Sequence, residues 1–199
     1  SSKSSNSTSK DQLQDTTPQT TVTIPGTDQI KALRIKEINM TQIHTTTIKK
    51  NYTKVAYGKS NTIFAFQTAE LNIINDPVEH KTNKSAAIYE IEVGLEGRRK
   101  DSVRGTIIFL EKLDNMFIEY AKENNKKFFT SNDIKYRTLI KKNANGKLFL
   151  RLPIFLEGES KTMFLNENKE EVSFDQLTKD KCAKFLIEVK YFWFEDDYC

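Results

Sequence analysis

With 199 residues, 13 Phe, 7 Tyr and a hydrophobic fraction of 37%, the chain has apolar content for one packed domain, which excludes global disorder. The net charge of +4 is too small to identify a polyanion binder, but its placement is uneven: Lys and Arg outnumber Asp and Glu by 5 to 1 over residues 128–150 and are outnumbered 7 to 11 over residues 151–199. Two cysteines, Cys182 and Cys199, exclude a disulfide framework, and no apolar run nears the ~20 residues of a bilayer span, so the chain reads as intracellular with no membrane segment.

Residues 1–28 are Ser, Thr, Gln, Asn and Lys with almost no large apolar side chain, which predicts a flexible polar arm ordered only by a partner. Residues 29–199 form the predicted single β-rich domain. Ala32 to Ile38 fits a short helix or a strand. His44 to Lys50, Tyr52 to Tyr57 and Thr62 to Gln67 read as strands, with Gly58 at a turn. Asn75 to Ser85 reads as a loop. Ala86 to Leu95 alternates apolar and charged residues and predicts a half-buried strand. Gly97 to Asp101 reads as a hairpin tip, with Val103 to Phe109 as the returning strand.

Leu110, Leu113, Phe117 and Tyr120 recur at steps of three and four and predict a helix over 110–123. Asn145-Gly146 predicts a turn. Strands follow at 147–156 and 161–165, then a loop or turn at Ser173 to Leu177. A last apolar strand runs from Ala183 to Phe194. Many short strands and one main helix predict a mainly β, α+β architecture, an OB-like antiparallel β-barrel. The apolar run just before Cys199 predicts a domain truncated at its C-terminal end.

The residue types offer no catalytic constellation. His44 and His80 stand alone, and the acidic pairs Glu170-Glu171 and Asp196-Asp197 lack the ligand count of a cation site. The seven glycines form no phosphate-cradling motif. No enzyme activity, metal or cofactor is expected. Basic and aromatic residues instead cluster in three places. Lys49, Lys50, Tyr52 and Lys54 lie together in the chain, with Tyr57 just beyond. Arg98, Arg99 and Arg104 flank the predicted hairpin tip. Lys135, Tyr136, Arg137, Lys141 and Lys142 lie past the helix. Cations hold phosphates and flat rings stack on unpaired bases, so single-stranded nucleic acid rewards this mixture. Phe128 and Phe129 fit a ring role or a core role.

Several ordered segments carry a family resemblance. They are Phe109-Leu110-Glu111-Lys112-Leu113-Asp114, Glu123 to Phe129, Ile134-Lys135-Tyr136-Arg137 to Lys142, Leu148 to Leu152, Val172 to Leu177, and Val189 to Phe194. In order and spacing, residues 85–199 resemble the single-stranded DNA-binding proteins of large nucleocytoplasmic DNA viruses. The resemblance implies an OB-like barrel that coats single-stranded DNA during viral replication without reading sequence. It places the protein at a replication site in the host cytoplasm, or in the virion. The polar arm or an open barrel edge supplies self-association. The competing expectation is a virion assembly protein whose arm is ordered on neighbouring subunits.

Overall fold

Alternation of apolar and polar side chains turns more of the described residues into strands than into helix, and one long stretch with helical periodicity covers their apolar face. The computed structural model describes residues 20–22, 30–49, 52–80, 87–96, 100–124, 135–194 and 199. Its strands are β1 (Thr20–Val22), β2 (Ile30–Arg34), β3 (Ile43–Lys49), β4 (Tyr52–Tyr57), β5 (Thr62–Ile73), β6 (Val78–His80), β7 (Ile88–Gly94), β8 (Ile140–Lys142), β9 (Leu148–Phe155), β10 (Cys182–Val189) and β11 (Tyr191–Trp193). One long helix, α1 (Lys100–Glu123), lies between β7 and β8 in the chain. All these strands join one sheet. It is strongly curled and largely antiparallel, a half-barrel with one helix, which is the OB-like α+β class expected from the sequence.

β5 organises the sheet. β4 and β5 pair only beside their turn, at Ala56↔Ile63 and Tyr57↔Thr62, where Gly58 adopts a φ of 70° that suits glycine. Beyond that point the two strands splay. β10 then pairs with β5 from Phe64 to Asn72, and β11 pairs with β4 from Tyr52 to Lys54. The continuous segment 182–193 therefore runs between the arms of the β4–β5 hairpin. On its other edge β5 pairs with β2 in parallel at Phe66 and Gln67, and with β7 at Asn72 and Ile73. Between those contacts the Ala69 N–H donates to Thr106 Oγ1 of α1 at 3.2 Å.

The core lies between α1 and the inner face of the sheet. Val103, Thr106, Leu110, Leu113, Phe117 and Ala121 are buried along one stripe of the helix. Phe109 meets Phe66 edge-on at 4.9 Å, and Phe117 stacks on Phe192 at 4.9 Å. At the helix centre Asp114, 6% exposed, accepts hydrogen bonds from Tyr136 Oη at 2.8 Å and from the Leu139 N–H at 2.9 Å. This pins the chain that follows the helix.

Several sequence expectations change, among them the loop at Asn75 to Ser85, which contains β6. The helix begins at Lys100, so Val103 to Phe109 is helical, and β7 pairs with β9 and β6. The β-branched residues of that stretch suggested a strand, but Val103, Thr106 and Leu110 are also spaced for one helical face. The last apolar run breaks at Lys190 into two strands with different partners. Residues 161–165 contribute only an isolated bridge, Leu165↔Glu171. Within the polar arm, Thr20–Val22 is a strand paired with β2 of its own chain.

Candidate nucleic-acid interface

Side chains alternate across a strand, so register assigns the two faces of the sheet. Thr53 and Phe192 are opposite each other and face inward. Thr53 is fully buried with its hydroxyl 3.3 Å from Tyr120 Oη, and Phe192 packs on Phe117. The adjacent positions must face outward. They are Tyr52 opposite Trp193, and Lys54 opposite Tyr191.

The outward positions form a cluster of three rings. Tyr52 and Trp193 have centroids 4.9 Å apart, tilted by 36°. Tyr191 meets Tyr52 at 5.4 Å and Trp193 at 6.2 Å, each nearly edge-on. Trp193 remains 52% exposed and Tyr191 46% exposed, so their surfaces are open to a ligand. Lys54 is exposed, and β3 places Thr46 opposite Lys54 and Lys49 opposite Tyr52 in the register. Ile63 extends the patch at 53% exposed, since its β4 partner Ala56 shares the outer face. Exposed rings beside a cation form a surface on which bases stack while a phosphate is neutralised.

The sequence-predicted residues divide among several places. Tyr52 and Lys54 belong to this cluster, and the backbone of Lys49 adjoins it. Lys50, Arg98 and Arg99 lie outside the described residues, as do Phe128 and Phe129. Tyr57 is not a stacking ring. It is 9% exposed, stacked on Phe64 at 5.7 Å, and its Oη accepts the Asn39 N–H at 3.1 Å. Arg104 is exposed on the second turn of α1 instead of at a hairpin tip.

Tyr136 is also no stacking ring. Its hydroxyl is engaged by Asp114, and its ring reaches the inner side of β11 at 6.1 Å from Phe192. Burial first, then the Asp114 carboxylate, holds its phenol protonated well above the ordinary tyrosine range. Lys135 and Arg137 are exposed beside it, and their backbones pair with Cys199. Lys141 and Lys142 sit on β8, next to β9 and remote from β4 in sheet order. Tyr52 and Tyr136 thus lie on opposite faces of β11.

Tyr191 and Trp193 belong to the last apolar strand and are not among the site residues expected from the sequence. A signal for them existed. In Tyr191-Phe192-Trp193-Phe194 every second ring must leave the core, and only Phe192 and Phe194 are buried.

Over 169 residues the chain is 23% identical to an uncharacterized protein of Acanthamoeba polyphaga mimivirus, covering 84% of this chain and 51% of that protein. The chain therefore spans about half the length of this relative. No family model matches the chain, and no solved structure matches it. None of its described helices is long and apolar enough to cross a membrane.

Proposed function

We propose that this chain binds single-stranded DNA without sequence preference, as a non-enzymatic module of a large DNA virus acting at the site of genome replication. The observation that carries this reading is the exposed ring cluster of Tyr52, Tyr191 and Trp193 with Lys54 at its side. Every base has a flat face, so stacking selects unpaired strands over a duplex while tolerating any sequence. The mimivirus similarity supports a viral setting, and the OB-like sheet is a scaffold compatible with this use.

The test is the double variant Tyr191→Ala/Trp193→Ala, compared with wild type for binding to oligo-dT and to duplex DNA. Stacking contributes ~1–3 kcal/mol per base, so the variant should lose at least about tenfold in oligo-dT affinity. Both side chains are exposed, and thermal stability should stay near wild type. Equal affinity of the two proteins for oligo-dT, or a wild-type preference for duplex, contradicts the reading. Absence of oligo-dT binding together with self-assembly favours the structural alternative.

A further inference from the structure

The outer face that carries the ring cluster continues along β10. In the β5–β10 register, Lys184 stands opposite Glu70, Leu186 opposite Gln67 and Glu188 opposite Ala65. Gln67 in turn stands opposite Arg34 of β2. Lys184 and Leu186 are exposed, whereas Leu71, Ile73, Phe64 and Phe66 of β5 are fully buried on the other face. Lys184, Tyr191 and Trp193 are thus outward positions of one nearly continuous strand.

At the far end of this face is an open groove of about 850 Å³. It forms where β5 lacks a ladder partner between β2 and β7 and α1 approaches instead. Among the described residues its walls carry Arg34, Lys36 and Lys184 against one carboxylate, Glu70. Arg34 also pairs with Glu37 at 3.8 Å. Between groove and rings, Glu188 pairs with Lys190 at 3.0 Å, which offsets its charge on the path.

Gly105 also lines this groove. It lies inside α1, where glycine is less stable than alanine. No packing forbids a side chain there, because a Cβ on Gly105 would meet nothing within 4 Å. A glycine that the helix does not need, facing a cationic groove, leaves room for close approach of a ligand backbone.

We infer that this groove holds the sugar–phosphate backbone of the same strand whose bases stack on Tyr52, Tyr191 and Trp193; the inference rests on the single-strand reading above. Lys184 and Tyr191 are seven residues apart in the chain, roughly 23 Å along an extended strand. At ~3.4 Å per stacked nucleotide this is a path of about seven nucleotides, within the usual site size of an OB fold.

Binding of the full chain to an oligo-dT of ~16 nucleotides, titrated across salt, tests it. The variant Lys36→Gln/Lys184→Gln should lose roughly tenfold in affinity at low salt and flatten the log–log salt slope by about 1.4, two contacts at ~0.7 each. The same charge change at Lys112 and Lys122, exposed on α1, should leave both quantities near wild type. Gly105→Ala should raise the melting temperature by ~2 °C yet weaken binding. Equal effects of the two lysine pairs, or no effect of either, overturns the groove assignment. If Tyr191→Ala/Trp193→Ala still weakens binding in that case, the ring-cluster reading stands. A wild type that binds no oligo-dT overturns both.

Discussion

Tyrosines with similar sequence surroundings take opposite roles here, and the difference lies in strand parity. Tyr52 faces outward, while Tyr57, five residues on, faces inward onto Phe64. Tyr136 is drawn inward by Asp114, 22 positions earlier in the chain, a contact that no local pattern announces. Its folded-state pKa is raised above the ordinary value of 10.0, by burial first and by Asp114 second. The corresponding stability is therefore intact below about pH 10 and is lost as the pH rises past the unfolded-state value. Tyr136→Phe should cost ~1.5–3 kcal/mol at neutral pH, the net value of a hydrogen bond to a charged group. The deficit should shrink above about pH 10 when chemical denaturation is repeated there. A deficit that holds constant or grows with pH contradicts the assignment. The cationic neighbours Lys135 and Arg137 do not reveal this, because charge marks solvent exposure on their own side of the chain and says nothing about the ring between them.

Elements were legible where their period was unambiguous. β4, the first half of β5, β7 and β9 follow from alternation, and Asn145-Gly146 turns the chain into β9 with Gly146 at a φ of 77°. The second half of α1 follows from its heptad-like stripe. Its first half did not, because Val103, Thr106, Ile107 and Ile108 are β-branched and invite a strand. Tertiary packing on β5 decides for the helix there, with Val103 and Thr106 both buried. The break at Lys190 was equally hidden, since local sequence does not show that one half of the run pairs with β5 and the other with β4. The joint between helix and sheet is measurable. Phe117 is 3% exposed and stacked on Phe192, directly beneath the ring cluster. Phe117→Ala should destabilise the fold by ~3–5 kcal/mol, read as a lower denaturation midpoint. A loss below about 1 kcal/mol would place the α1–β11 contact outside the core.

For the whole molecule, the curled sheet separates two faces. The inner face is closed by α1 and carries stability. The outer face carries rings and cations that the core does not use. The site was half legible: Tyr52 and Lys54 stood out as a ring beside a cation, but their register partners Trp193 and Tyr191 lie 141 and 137 positions further along the chain and meet them only through the β4–β11 register. The single tryptophan, Trp193, sits in that cluster and reports on it directly. Stacking of unpaired bases on these rings is tested most directly by titrating the full chain with oligo-dT and following Trp193 fluorescence. Saturable quenching by oligo-dT is expected, weakened as salt is raised and nearly absent with duplex DNA of equal length. Binding of oligo-dT with Trp193 emission unchanged would contradict it.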